Sequence, residues 1–257
     1  MAEDKDQGSI STDLDVGGLT PREQSVPQEA AREHLAARLE RVARVNLRPI
    51  ASPMPIGFIG LAGGTITLAA LNLGWIPKSE GTNVALALIA FVFPLQLSAA
   101  IFGILSRDGV TGTAMGVLAG TWLTIGLVML TSPPGSTSDA LGVLLMVAAV
   151  AMLWPAAGAW LSKLVPATVL TLAALRFASS GMYQLTASDS WADTTGWIGI
   201  VLGAAALYAA LASLLENVSK KTVLPMGRRH RARQAVEGGL TEQLVDLTHE
   251  PGIRNQL

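Results

Sequence analysis

The distribution of charge along the chain constrains its fold more than any other feature. The chain has 257 residues, only 14% of them charged, and most of these charges lie before Pro53 or after Glu216. A soluble domain carries about a quarter charged residues. A long apolar middle between two polar ends therefore predicts an integral membrane protein.

The apolar middle divides into six stretches separated by short segments rich in Gly, Pro, Ser and Asp, which punctuate helices. A helix needs about 20 residues to cross about 30 Å of hydrocarbon, and helices satisfy their own backbone groups in lipid. We predict an all-α polytopic protein with six transmembrane helices in a bundle. The predicted spans are Pro55–Ile76, Asn83–Leu105, Val110–Leu130, Ala140–Leu161, Leu164–Leu185 and Thr195–Glu216.

Composition divides the chain into four parts. The polar, acidic start predicts a disordered tail, and the spacing of Leu35, Leu39 and Val42 after it predicts an amphipathic helix. The four predicted parts are a disordered cytoplasmic tail (1–26), a cytoplasmic amphipathic helix and linker (27–50), the six-helix transmembrane domain (51–219) and a basic cytoplasmic tail (220–257).

Loop charges predict the orientation of the six spans. Cytoplasmic loops carry an excess of Lys and Arg. The N-terminal flank, the loops with Arg107 and Lys163, and the C-terminal flank are basic, whereas the opposite loops carry one Lys beside four acidic residues. We therefore expect a multi-pass protein of the plasma (inner) membrane with both termini in the cytoplasm.

Several glycines in the spans are four residues apart, a spacing that favours close helix–helix packing in lipid. The simplest interpretation is bundle packing with no direct role in transport. These glycines are Gly60 and Gly64 in the first span, Gly112, Gly116 and Gly120 in the third, and Gly199 and Gly203 in the sixth.

Two motifs give the chain a family resemblance. Ser52-Pro53-Met54-Pro55-Ile56-Gly57-Phe58 is similar to the Asn-Pro-Ala-Pro-Leu-Gly-Leu signature that opens the first helix of the acetate uptake transporter (acetate/succinate permease) family. Gly196-Trp197-Ile198-Gly199, followed by Lys221-Thr222-Val223-Leu224-Pro225-Met226-Gly227, resembles the closing pattern of that family. The resemblance extends over about 52–227.

The resemblance implies a subunit of six helices that passes small carboxylates such as acetate or succinate through its own pore, within a homo-hexamer. The chain departs from the family pattern at several positions: Ser52 replaces an Asn, Gly103 and Ser213 replace Glu, and Leu61 and Leu118 replace ring-bearing residues. The candidate substrate pathway consists of Ser52, Pro53, Pro55, Gly57, Leu61, Gln96, Leu118 and Arg176. The two prolines predict an extended entry to the first helix.

Arg176 is the most informative polar residue within the spans. A charge near a helix centre costs about 2.5–3.5 kcal/mol on insertion scales and should face a cavity or a partner. Arg176 could bind a carboxylate bidentately, or it could snorkel or pair with a backbone carbonyl or Gln96. Gln96 could line a pore or cap a broken turn near Pro94. Thr65, Thr67, Thr113 and Thr124 are expected to bond back to their own helices.

Other functions have less support from the sequence. The chain has no Cys, and its three His residues all lie in the polar ends, so no metal or cofactor is predicted, and no acid/base pair suggests an enzyme. The basic run Arg228–Arg233 predicts contact with anionic lipid rather than nucleic acid. A channel for neutral solutes such as urea, amides or undissociated acids remains an alternative. A non-transport membrane scaffold acting through its tails is another.

Overall fold

The structure, a computed structural model, describes residues 51–219, 221–229 and 232, which belong to one compact unit. The predicted disordered tail (1–26), the predicted amphipathic helix (27–50) and most of the basic tail lie outside the described residues.

Six helices in the described part of the chain are long and apolar enough to cross a membrane. They are α1 (Met54–Asn72), α2 (Lys78–Leu105), α3 (Gly109–Thr131), α4 (Asp139–Trp160), α5 (Leu164–Thr186) and α6 (Asp189–Ser219). Among the described residues β-pairing is limited to one isolated bridge between Lys163 and Arg228. The predicted all-α fold with six membrane-spanning helices is confirmed.

The start of α6 differs from the prediction, which placed a loop between Thr186 and Asp193. Ala187 ends α5 in the left-handed conformation (φ 51°). The carbonyl of Ser188 then accepts hydrogen bonds from the N–H groups of Trp191 (3.0 Å) and Ala192 (3.1 Å). The negative charge of Asp189 is favourable in the first turn of a helix. Two residues therefore suffice to reverse the chain, and the predicted loop was wrong.

The helix α2 changes its hydrogen-bond pattern near its centre. An α-helical part, Gly81–Ala87, passes through a π-helical turn, Leu88–Val92, into a second α-helical part, Phe93–Leu105. Pro94 explains the wider turn, because proline has no N–H and its ring would collide with the carbonyl four residues earlier in a regular α-helix. Such π turns often lie at functional sites.

The predicted extended entry to α1 was also wrong. Pro53 has helical dihedral angles (φ −78°, ψ −6°), and its carbonyl accepts a hydrogen bond from Gly57 N–H at 3.2 Å. Proline is well suited to the first turn of a helix because its fixed φ is helical and its missing N–H would have no partner there. Both Pro53 and Pro55 are buried at this start.

The six helices form a closed ring. Each helix packs against the one that follows it, and α6 returns to pack against α1. Short connections make neighbouring helices antiparallel, so α1, α3 and α5 begin at one end of the ring, here called the proximal end, and finish at the distal end. The helix α1 also contacts α3, which is not its neighbour in the ring. The buried apolar core fills the centre of this ring.

Candidate functional site

Two chambers lie inside the ring, one toward each end. The distal chamber has a volume of about 310 Å³, and its walls include Leu68, Ile125, Leu145, Ser180 and Tyr183. The proximal chamber has a volume of about 140 Å³. Its walls include Met54, Phe58, Asp108, Met115, Lys163 and Leu170. The two chambers share no residue, so the protein between them separates two cavities.

The separating layer consists of large side chains that are at most 2% exposed. On α1 it lies between Phe58 and Leu68, and on α3 between Met115 and Ile125, the residues that line the two chambers. The layer comprises Leu61, Leu118, Trp122, Arg176 and Phe177, and we call it the barrier.

Trp122 holds the barrier together across the ring. Its ring centroid lies 6.5 Å from that of Phe177 on α5, at an interplanar angle of 59°. A methyl group at Gly64 of α1 would lie 3.4 Å from the Trp122 ring. Neither α1 nor α5 is adjacent to α3 in the ring. Trp122 therefore fills the centre of the ring and not an interface between two adjacent helices.

The guanidinium of Arg176 stacks on Trp122. Its Cζ atom lies 5.5 Å from the ring centroid, within the range of a cation–π contact. The side chain is 1% exposed, and none of its three nitrogens has a hydrogen-bond partner among the described residues. Neither snorkelling nor the anticipated pair with Gln96 is observed. A buried, unpaired cation is costly, so this arrangement requires an explanation.

Gln96 connects α2 to α1. Its Nε2 donates a hydrogen bond to the carbonyl of Gly57 at 3.0 Å, and its Oε1 is buried without a partner in the described part of the chain. A methyl group at Gly60 would lie 3.2 Å from Gln96 Cγ. The amide thus packs on the glycine face of α1 rather than on the turn near Pro94.

The remaining pathway candidates lie at the proximal end. Ser52 is half-buried before the start of α1, followed by the buried Pro53 and Pro55. A methyl group at Gly57 would lie 2.7 Å from the sulfur of Met115, which lines the proximal chamber. The structure therefore brings Leu61, Leu118 and Arg176 into one layer and leaves Ser52, Pro53 and Pro55 at one mouth.

The glycines with four-residue spacing have different surroundings. Gly64, Gly112, Gly199 and Gly203, like Gly60, are buried, and a methyl group at any of them would come within 3.2 Å of a neighbouring helix. Gly116 and Gly120 are exposed on α3, with nothing closer than 3.8 Å to such a group. The five buried glycines therefore pack within the subunit, whereas Gly116 and Gly120 face outward.

Of the four threonines expected to bond back to their helices, only Thr124 does so among the described residues. Thr124 donates to the carbonyl of Gly120 at 2.9 Å, as predicted. Thr65 is fully buried, but its hydroxyl has no partner among the described residues, so the prediction for Thr65 was wrong. Thr195 of α6 is likewise fully buried with an unpartnered hydroxyl.

Trp122, Phe177 and Thr195 were not among the predicted pathway residues. A signal existed for Trp122, because tryptophans in membrane proteins concentrate at the interfaces, whereas Trp122 lies well inside its span. Phe177 and Thr195 have no such signal. Their position in the ring follows only from how α5 and α6 pack.

The two loop residues Arg107 and Asp108 form the turn before α3. Asp108 caps the helix, accepting from Thr111 N at 3.0 Å and from Thr111 Oγ1 at 2.8 Å. Its carboxylate thus has a structural role at the rim of the proximal chamber. Arg107 adopts a positive φ of 59°.

Gly103 occupies the position on α2 at which the family pattern has a Glu. The reason is steric. A methyl group there would lie 2.8 Å from the backbone nitrogen of Gly112 and 3.0 Å from its Cα. Two helix backbones meet at this point, and backbone atoms cannot move aside as a side chain can. No carboxylate could occupy this position without separating α2 from α3.

Comparisons with known proteins agree with this architecture. The chain is similar to the succinate-acetate/proton symporter SatP of Escherichia coli strain K12, with 27% identity over 190 residues that cover 70% of this chain and 97% of that protein. The same figures hold for SatP of Escherichia coli O157:H7 and of Shigella flexneri. No family model matches the sequence.

A solved structure, that of the bacterial acetate channel SatP, is similar in fold. The TM-score is 0.62 with 27% sequence identity, over 69% of this chain and 99% of that chain. The similarity thus covers almost the whole of the SatP proteins and nearly the whole solved channel. The predicted resemblance of the chain to the acetate uptake transporter family is confirmed.

Proposed function

We propose that this protein is a membrane transporter or channel that passes small carboxylates such as acetate or succinate through a pathway inside each subunit. The observation that carries the proposal is the pair of chambers at opposite ends of the ring, separated by one buried barrier. The names of the similar proteins supply the substrate class: succinate and acetate for the symporter, acetate for the channel.

The proposed pathway runs from the distal chamber through the barrier to the proximal chamber. Leu61 and Leu118 make the barrier narrow and apolar, and such constrictions can gate by excluding water. Arg176 would offer a carboxylate its charge, and Gln96, whose Nε2 donates to the carbonyl of Gly57, would line the pathway. Ser52, Pro53, Pro55 and Gly57 would shape the proximal mouth.

The proximal chamber would face the cytoplasm of a cell bounded by its plasma (inner) membrane. Lys163 and Arg228 lie at this end of the ring and Asp139 at the other, in keeping with the rule that cytoplasmic loops are basic. Both termini would then be cytoplasmic. Labelling of single introduced cysteines on intact cells tests this orientation, since the chain has none of its own.

Six subunits would assemble around an axis outside the pathway, as the family resemblance implies. The outward-facing Gly116 and Gly120 on α3 offer a surface that another helix could approach closely. Mass measurement of the protein released from membranes in mild detergent tests the number of subunits. A monomer at every protein concentration would contradict the hexamer.

Uptake of radiolabelled acetate into proteoliposomes tests the transport activity. We expect saturable uptake above that of empty vesicles, with succinate as a competitor. Vesicles with the Leu118→Trp variant should take up less acetate. Leu118 is fully buried in the barrier, so a larger side chain there would close the barrier further. Uptake equal to that of empty vesicles at every pH would reject the proposal.

A neutral solute is the second candidate, because the described part of the barrier contains no carboxylate and two of its members are aliphatic. Urea, amides and undissociated acids would cross such a layer without a charged partner. Osmotic swelling of the same vesicles in urea and acetamide separates the two functions. Swelling without acetate uptake would favour the neutral solute.

A further inference from the structure

Four buried side chains in the centre of the ring have hydrogen-bond donors without partners among the described residues. They belong to four different helices: Thr65 of α1, Trp122 of α3, Arg176 of α5 and Thr195 of α6. None is more than 1% exposed. We call these four residues the donor cluster. Buried polar groups in proteins are nearly always paired, so four unpaired donors in one region require an explanation.

The members of the donor cluster lie close to one another. Arg176 Cζ lies 5.5 Å from the centroid of the Trp122 ring. A methyl group at Gly199 of α6 would lie 2.9 Å from Arg176 Nε and 3.4 Å from the backbone oxygen of Thr65. Thr195 precedes Gly199 by one helical turn and therefore shares its face of α6.

The cluster lies directly below the distal chamber. Leu68, Ile125, Ser180 and Ala192 line that chamber on α1, α3, α5 and α6. Each is one helical turn away from a member of the donor cluster, on the chamber side, and residues three or four apart share a helix face. A ligand that reaches the floor of the distal chamber therefore reaches the donors next.

The chemistry of the cluster is that of an anion site. A guanidinium and an indole N–H can only donate, and each hydroxyl can donate as well as accept. The acidic residues of the described chain are all at or near helix ends, and Glu216, which forms an ion pair with Arg228, is the acidic member of the described salt bridge. Arg176 is ten residues, or about 15 Å, from the end of α5. Its charge therefore lacks a counter-ion among the described side chains.

We infer that the donor cluster binds one small carboxylate in its ionised form. The Arg176 fork binds both oxygens of the carboxylate, and the hydroxyls of Thr65 and Thr195 and the N–H of Trp122 complete the site. A planar carboxylate matches the fork better than a spherical halide does, because two parallel N–H groups meet two oxygens. The choice of a carboxylate rests on the proposed function, whereas the need for an anion rests on the unpaired donors.

Equilibrium binding to the purified protein in detergent tests the site without any membrane. The probe is acetate at constant ionic strength, and the readout is the intrinsic tryptophan fluorescence, with the Trp122→Phe variant identifying the signal from the cluster. We expect saturable binding that weakens about ten-fold or more in Arg176→Met, since hydrogen bonds to charged groups are the strong ones. Arg107→Met, which removes an exposed arginine from the loop before α3, should bind as the unmodified protein does.

Three further measurements keep the test decisive. Thr195→Val removes one neutral donor and should weaken binding about three-fold or more. Thermal unfolding shows whether Arg176→Met is folded. If it is not, Arg176→Lys, which keeps the charge but loses the fork, should retain acetate binding at reduced affinity. Titration at neutral and mildly acidic pH should give one affinity when expressed per concentration of ionised acetate.

The inference is overturned if folded Arg176→Met binds acetate as tightly as the unmodified protein, if acetamide competes as well as acetate, or if binding follows the undissociated acid. Chloride binding as tight as acetate binding would overturn the carboxylate assignment. Binding that is lost in Arg176→Met while vesicles show no acetate flux would support the site and reject the transport proposal. Acetate flux without any such binding would reject the site and support the transport proposal.

Discussion

At the scale of single residues, Trp122 determines how the centre of the ring is closed. Its side chain extends from α3 to Gly64 on α1 and to Phe177 on α5, neither of which belongs to a helix adjacent to α3. It also supplies the ring face on which Arg176 lies. Trp122 thus forms part of the barrier between the two chambers and also contacts the buried cation.

Replacing Trp122 by alanine should open the barrier. We expect Trp122→Ala to raise the flux of acetate and to admit larger carboxylates, because the largest side chain of the barrier is removed. The unfolding free energy should fall by about 3–5 kcal/mol, the usual cost of emptying a buried aromatic site. Trp154→Ala is the matched control, since Trp154 is 72% exposed on α4. Equal flux in the two variants would show that Trp122 does not limit passage.

Removing the charge of Arg176 should change the selectivity of flux as well as binding. In vesicles, Arg176→Met should lose acetate uptake, while the swelling rate in acetamide stays the same or rises, because only the anion depends on the guanidinium. The ratio of the two rates is the measurement, and it is independent of how much protein each preparation incorporates. An unchanged ratio would remove Arg176 from the pathway.

At the scale of elements, the contact between α2 and α3 depends on backbone proximity. Gly103 lies against the backbone of Gly112, and a methyl group would come within 2.8 Å of its nitrogen. Glycine at this position therefore sets the separation of the two helices. Gly109, at the start of α3, has nothing within 4 Å of such a group.

Gly103→Ala should destabilise the protein, whereas Gly109→Ala should not. We expect a loss of about 1–3 kcal/mol for Gly103→Ala, the usual cost of overpacking, offset in part by the better helix propensity of alanine. Gly109→Ala gains the propensity without the collision. Unfolding midpoints in the same detergent make the comparison. Equal midpoints would contradict the close α2–α3 contact.

The segment after α6 is fastened to the start of α5. Leu164 N–H donates to the carbonyl of Gly227 (3.1 Å) and Val165 N–H to that of Met226 (3.2 Å), while Arg228 pairs with Glu216 of α6. Gly227 has a positive φ of 63°, which explains a glycine at this position of the closing motif. The motif thus satisfies N–H groups that a helix start leaves free.

Breaking the Glu216 pair should loosen this segment. In Arg228→Met we expect faster hydrogen exchange at the amides of Leu164 and Val165, by about five-fold if the pair contributes about 1 kcal/mol. Arg229→Met, which changes an exposed neighbour, is the control. Exchange that is the same in both variants would show that the ion pair does not hold the segment.

At the scale of the whole molecule, the ring of six helices encloses the proposed pathway, with the cation of Arg176 at its centre. Among the described residues no carboxylate or imidazole lies at the level of the barrier, so no side chain there could carry a proton with the substrate. A carboxylate that crosses in its ionised form therefore carries its negative charge across the membrane.

Acetate movement should accordingly be driven by voltage. In vesicles held at an inside-positive potential of about 60 mV with potassium and valinomycin, we expect about ten-fold accumulation of acetate, since a charge gains about 2.3 kcal/mol per 100 mV. The same experiment with Arg107→Met should give the same accumulation. Uptake that follows a pH gradient at zero potential, with no charge movement, would contradict this expectation.

The six membrane spans could be predicted from the sequence because they depend on local properties of the chain. Span length and hydropathy are summed over neighbours in the chain, so six spans between polar ends required no knowledge of packing. The end of α2 at Leu105 and the start of α5 at Leu164 agree with the prediction for the same reason. The start of α6 did not, because a two-residue reversal through Ala187 has no compositional signal.

The barrier and the donor cluster were decided by tertiary structure. Arg176 was conspicuous in the sequence because a charge inside an apolar span is rare. Its partner could not be predicted, since Trp122 is far from it in the chain and contacts it only because the ring closes. Hydropathy is additive along the chain and is therefore set by sequence alone. Which donors face each other across the centre depends on helix rotation and order, and only the closed ring determines both.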